Sequence, residues 1–386
     1  MPTLSERSLL GGLPRRDLWL LPMISMLTVA MMLGCAEIAA RLFWPEQLVD
    51  SCALPDGALG FRANCVSWMK GFEGPWYTNT YNECGYRSTA SCGTPPTGTR
   101  RIALVGSSIS AGFLVPYAET TGAVLAADLS RRCPFPVEVQ NLAGPRFTGW
   151  HIVERADAAM ALHPAAMLML VGNFDIEMQL DDSTMPITSN APPPVPTPAA
   201  ATPKEMLPAQ WVMLMRESRA LSVAQSLLLR NSDRFLSLYL RFGDKADFLR
   251  QPFTPAWRER LRRFDLLVAR LAERAHAGGA TFTIGFVPHQ AQVMLMQERT
   301  LPPGIDPRAL PRAIAAIAAR HGADFVDVSP EFAADPDPPR LYYRLDQHPS
   351  TAGDPLIAAA LVRHYTGEKG GPFAACSAPT RLEALR

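Results

Sequence analysis

From Arg101 onward, short apolar runs alternate with longer segments whose apolar residues recur at helical spacing. Ile102 to Val105 is a run of the kind that forms a strand covered on both faces, and Gly106 ends it where small polar residues begin. A helix is expected around Thr120 to Arg131, then a strand over Val137 to Leu142 that stops at Ala143-Gly144-Pro145. Another helix, about Trp150 to Leu162, leads to an apolar strand, Ala166 to Val171, ending in Gly172-Asn173-Phe174-Asp175. The alternation resumes at Thr254-Pro255, a capping residue followed by Pro, with a helix to about Ala277 closed by Gly278-Gly279. Ala280 to Val287 reads as a strand, Pro307 to Arg320 as a helix, and Ala323 to Val328 as the final strand, with a last helix after Pro349. Such alternation predicts a parallel sheet with helices on both faces.

Three segments break this pattern. Leu18 to Ala36 is uncharged and long enough to cross a hydrocarbon core of about 30 Å. It reads as a membrane anchor, and Arg7, Arg15 and Arg16 before it favour a cytoplasmic N-terminus with the rest of the chain outside. A cleaved signal peptide, or lipid attachment at Cys35 within Leu33-Gly34-Cys35, are the rival readings. Between the anchor and the first strand, residues 37–100 form a loop-rich, Cys-rich lead-in. At about 179–252 an insertion interrupts the sheet pattern: Asp181 to Pro208 is Pro-rich and reads as an extended loop, and Gln210 to Phe242 looks helical. The expected division is therefore a cytoplasmic terminus (1–17), the anchor (18–36), the lead-in (37–100), an α/β domain (101–366) and a tail (367–386).

The net charge of the 386-residue chain is +1, so no charge excess points to nucleic acid. Cys52, Cys65, Cys84, Cys92, Cys133 and Cys376 make an even number of cysteines in a compartment that permits disulfides, although spacing does not reveal their pairing. A zinc site is the competing reading, but no two of them have the spacing of a zinc knuckle and no His sits among them.

Two stretches carry chemistry. The Gly-Ser-Ser turn after the first strand lifts a hydroxyl to the carboxyl edge of the sheet, which makes Ser108 the candidate nucleophile; the competing reading is that Ser107 and Ser108 only cap a helix. Near the other end, Asp346 and His348 lie two apart before Pro349, a spacing that lets the carboxylate hold the imidazole as the general base a serine needs. His151, His163, His276, His321 and His364 have no motif around them, and His289 ranks as a substrate contact at most.

Four ordered blocks then resemble the SGNH, or GDSL-like, hydrolase superfamily, in particular its membrane-anchored extracytoplasmic branch: GSSISAG at Gly106 to Gly112, NLAG at Asn141 to Gly144, GNFD at Gly172 to Asp175, and DQHPSTAG at Asp346 to Gly353. The likeness covers Arg101 to Tyr365 apart from the insertion. It implies a three-layer α/β/α sandwich with a parallel, flavodoxin-like sheet, an acyl-serine mechanism on Ser108, His348 and Asp346, and no metal or organic cofactor. The oxyanion would be held by the backbone N–H groups of Ser108 and Gly144 and the amide of Asn173. Two departures stand out: Ser107 replaces the family's Asp before the nucleophile, and the register of the third block puts either Asn173 or Phe174 at the oxyanion, Asn173 being preferred. The implied function is an extracytoplasmic esterase or deacylase acting on an acylated envelope glycan or lipid. The alternatives are an O-acyltransferase modifying a surface polysaccharide and a non-catalytic binding protein of the same fold.

Overall fold

The computed structural model describes residues 16–55, 60–147, 149–178, 217–241, 243–367 and 371–376. The Pro-rich stretch and residues 377–386 of the tail lie outside them. Two compact units are present, one of residues 1–45 with 202–227, the other of residues 46–201 with 228–386.

In the first unit, α1 (Asp17–Phe43) extends past the expected Ala36, and its Trp19–Phe43 stretch is long and apolar enough to cross a membrane. The extra turns hold Glu37 and Arg41, a helix i,i+4 pair at 2.7 Å. Glu37 also accepts from the backbone N–H groups of Arg219 and Ala220, at 3.0 and 2.9 Å, so an acidic side chain caps the helix that starts there. Cys35 is an exposed free thiol.

The second unit opens with a hairpin in the lead-in, β1 (Val66–Met69) antiparallel to β2 (Tyr77–Thr80), where an irregular segment was expected. Then come β3 (Arg100–Gly106), the short α2 (Ser108–Ala111), α3 (Thr121–Arg132), β4 (Val137–Asn141), α4 (Gly149–Met160), β5 (Ala166–Val171) and α5 (Asn173–Met178). The helical segment of the insertion is two helices, α6 (Arg219–Leu228), which belongs to the first unit up to Leu227, and α7 (Ser232–Arg241), which belongs to the second. The break has a local cause: the Asn231 side chain accepts from the Arg234 N–H at 2.8 Å and caps the second helix. Beyond it lie α8 (Pro255–Ala277), β6 (Thr281–Phe286), α9 (Gln290–Gln297), α10 (Ala309–Arg320), β7 (Asp324–Asp327), α11 (Ser329–Ala333) and α12 (Gly353–Tyr365).

The sheet is parallel with order β4-β3-β5-β6-β7. Side-chain alternation sorts its strands between two cores. Ala103, Val105, Met167 and Met169 face α4, α8 and α10 through Ile152, Phe264 and Ile314, whereas Ile102, Leu104, Leu168 and Leu170 face α3 and α12 through Leu125, Leu129 and Leu361. This is the expected three-layer sandwich.

The lead-in covers the exposed edge of the sheet. The Arg87 N–H donates to Asn141 O at 3.0 Å and the Ser88 hydroxyl to Val139 O at 2.9 Å, which satisfies the outer side of β4. Arg101, 2% exposed, pairs with Glu138 and donates to the carbonyls of Gly93 at 2.8 Å and Leu162 at 3.1 Å. Disulfides Cys52–Cys65 and Cys84–Cys92 close loops within the lead-in, and Cys133–Cys376 ties the end of α3 to the tail. All six cysteines of the even set are thus paired.

Candidate active site

The serine turn is built by glycine and by side chains that reach in from three sides. Gly106 has φ +134°, and a Cβ there would fall 2.3 Å from Ser110 Oγ, so no other residue fits where β3 stops. Ser110 Oγ in turn accepts from the Leu170 N–H at 3.0 Å and donates to its carbonyl at 3.1 Å, completing the ladder that β3 has left. Ser108 opens α2, and Gly112 closes it in the left-handed conformation. Arg87, from the lead-in, is buried and donates to the carbonyls of Ala111, Gly112 and Val115 at 2.5, 2.8 and 2.6 Å. The Ala111 and Gly112 carbonyls are at the end of a four-residue helix that cannot satisfy them by itself, and Val115 lies just beyond it, so the lead-in holds the serine turn from outside the sheet.

Asp346 and His348 meet because Gln347 between them sits at φ +68°. The kink is held by the Gln347 N–H to Tyr343 O at 2.7 Å and the Tyr343 N–H to His348 O at 2.9 Å. His348 Nδ1 bonds Asp346 Oδ1, and Nε2 lies 2.7 Å from Ser108 Oγ. With Nδ1–H donating to the carboxylate, Nε2 is the acceptor for the serine hydroxyl. Phe113 sets its ring edge-on to the imidazole at 5.3 Å, and Glu73 of the lead-in accepts from the Leu345 N–H at 2.7 Å. Burial pulls the imidazole pKa down, but the charge and hydrogen bond of Asp346, with the charges of Asp175 and Asp354, outweigh it and leave it above the ordinary value.

Asn141 fixes the second block against the turn, donating to Ser110 O at 2.9 Å and accepting from the Ala143 N–H at 3.0 Å. Gly144 follows, its N–H donating to Gly106 O over a long 3.3 Å. In the third block, the neighbours Asn173 and Phe174 go to different surroundings. Asn173 is 2% exposed and its Nδ2 has no hydrogen-bond partner among the described residues, whereas the Phe174 ring packs edge-on against His289 at 5.6 Å. An unpartnered buried amide donor is costly, typically about 1–3 kcal/mol, unless a ligand completes it.

His289 does not face the site as a substrate contact. It is 3% exposed, its Nδ1 accepts from the Ala291 N–H at 3.2 Å as the cap of α9, and Tyr239 stacks on its ring at 4.6 Å. Burial pushes its pKa down to about 3, so it is neutral. Helix α9 itself was not expected, because its cap is a histidine and its sequence is nearly all buried rather than amphipathic.

Two carboxylates beside the site were missed. Asp175 accepts from the Ser107 hydroxyl and, at 2.7 Å, from the Gly172 N–H; burial pushes its pKa up, against the hydrogen bonds of Ser107 and Gly172 and the charge of His348. Asp354, at the start of α12, accepts from the Thr121 N–H at 2.7 Å, and burial raises its pKa to about 6. Both residues stand in or next to the recognisable blocks, but only their burial gives them weight.

The sequence model of the GDSL-like Lipase/Acylhydrolase family matches residues 104–354. No curated protein sequence matches this chain. Among solved structures, the chain is similar to the lipase/acylhydrolase from Enterococcus faecalis, with 15% identity over 73% of this chain and 99% of that one, TM-score 0.38. It is also similar to the extracellular lipase from Streptomyces rimosus, with 14% identity over 68% of this chain and 99% of that one, TM-score 0.35.

Proposed function

The chain belongs to the GDSL-like lipase/acylhydrolase family, a serine ester hydrolase therefore, and from that premise we propose that it is an extracytoplasmic esterase or deacylase acting on an acylated envelope glycan or lipid. The observation that carries the reading is the continuous relay from Asp346 through His348 to Ser108, with 2.7 Å between His348 Nε2 and Ser108 Oγ. Ser108 Oγ attacks the ester carbonyl while its proton passes to His348 Nε2, and Asp346 stabilises the imidazolium. The Ser108 N–H, at the first position of α2, and Asn173 Nδ2 then donate to the oxyanion, and Gly144 joins them by giving up its long bond to Gly106. Collapse expels the alcohol, which takes the proton from His348. Water, deprotonated by the same imidazole, hydrolyses the acyl-serine and returns the proton to Ser108.

The non-catalytic reading rested on Ser107 in place of an acidic residue. Asp175 now supplies a carboxylate against that hydroxyl, which removes its motive. Hydrolysis of a simple ester should show kcat/KM falling on the acid side with a midpoint above about 6.5, since only neutral His348 accepts the proton and its pKa lies above the ordinary imidazole value. A profile that stays flat through pH 6 would remove His348 from the base role.

The same reading assigns α1 as the membrane anchor, residues 37–100 as the lead-in, and residues 101–366 as the hydrolase domain with its insertion at about 179–252. Three disulfides support an oxidising compartment. A reporter fused after Arg386 should be active outside the cytoplasm; activity confined to the cytoplasm would reverse the topology.

A further inference from the structure

We propose that Asp175 is a positioning residue for this hydrolysis: from the start of α5 its carboxylate supplies the negative charge that the serine turn lacks at residue 107, fixing the turn through Ser107 and favouring the imidazolium that forms on His348. The inference rests on the esterase reading and deepens it.

Asp175 is 9% exposed, and both of its oxygens are used, one by the Ser107 hydroxyl and one by the Gly172 N–H. Its other surroundings are apolar. A cavity of about 10 Å³ beside it, lined by Ser107, Ile152, Met169 and Phe264, holds at most one water. A carboxylate in such a place is expensive to keep charged, and no salt bridge offsets it among the described residues. The charge acting on it is that of His348, which in the active form starts as the neutral imidazole and becomes positive when it takes the Ser108 proton. An anion whose counter-charge exists only at that point stabilises the transition state more than the ground state, in a setting that water does not screen.

Among the described residues, few groups face His348. Asp346 touches it from its own loop, Asp175 acts from α5 and Asp354 from α12, Ser108 lies at Nε2, and Phe113 covers the ring. Behind them, Arg87 acts on Asp354, and Glu73 lies within reach of the charges of both Asp346 and Arg344. Asp175 is distinguished from Asp354 by its bond to the residue that immediately precedes the nucleophile.

The test is Asp175→Asn in the full chain. The amide keeps the size of the side chain, accepts from the Gly172 N–H and donates to the Ser107 hydroxyl, so the turn is retained while the charge is lost. We expect kcat to fall on the order of tenfold with KM little changed, and the acid limb of kcat/KM to move to lower pH, because removing an anion makes the imidazole easier to deprotonate. A purely structural role would not move that limb. In Asp175→Asn with Ser107→Asp, the carboxylate returns from the other side of the same hydrogen bond, and the limb should return toward its original position with most of the rate. An unmoved limb in folded Asp175→Asn overturns the proposal. If that variant does not fold, the exchanged pair decides: folded with the original limb supports the proposal, unfolded or shifted overturns it. Phosphonate labelling of the unaltered protein separates the two failures, since absence of labelling there sinks the esterase reading itself.

Discussion

Replacing Ser108 by Ala should abolish labelling by a fluorophosphonate and lower ester hydrolysis by about 10⁴-fold or more, the scale on which loss of a triad member acts. Thermal stability should change by no more than about 0.5 kcal/mol, because this hydroxyl is partly exposed and, among the described residues, bonds only His348. The other serines of the turn are poor substitutes: Ser107 is committed to Asp175 and Ser110 to both backbone groups of Leu170, and both are buried. Labelling that survives in Ser108→Ala would nevertheless move the nucleophile to one of them. His348→Ala should cost nearly as much as Ser108→Ala, and the double variant little more than either.

On the proposed reading, Asn173→Ala should lower kcat by about a hundredfold or more while KM stays near its original value, because the amide would bond the oxyanion in the transition state and has no partner among the described residues before it. Removing a donor that has no partner should leave the melting temperature unchanged or slightly raised. Phe174→Ala should behave in the opposite way. Its ring is half-buried and packs with His289, so its loss costs stability, roughly 1–2 kcal/mol, while activity per folded molecule stays close to normal. Full kcat in Asn173→Ala with none in Phe174→Ala would shift the oxyanion assignment by one residue.

The difference between these neighbours shows where local sequence stops being informative. Gly-Asn-Phe-Asp as a string admits two registers; the fold separates them by placing one side chain against the His289 ring and leaving the other a buried donor without a partner among the described residues. In the same way, the string Gly-Ser-Ser reads as a turn that has lost a carboxylate, and α5 returns one across 68 positions of sequence.

What the sequence determined by itself is what short-range periodicity and spacing encode. The five parallel strands, the helices with an amphipathic face or a Thr-Pro or Gly boundary, the Gly-Ser-Ser turn and the Asp346/His348 pair are local patterns; the strands form the expected sheet, and Asp346 bonds His348. Tertiary structure alone decided the rest: the cysteine pairing, the clamp of Arg87 on α2, the capping role of His289, and the carboxylates of Asp175 and Asp354 beside His348. Each of these is a contact between residues far apart in the chain, and the weight of a charge or an unpaired donor is set by the water that folding takes away from it, which no local pattern records.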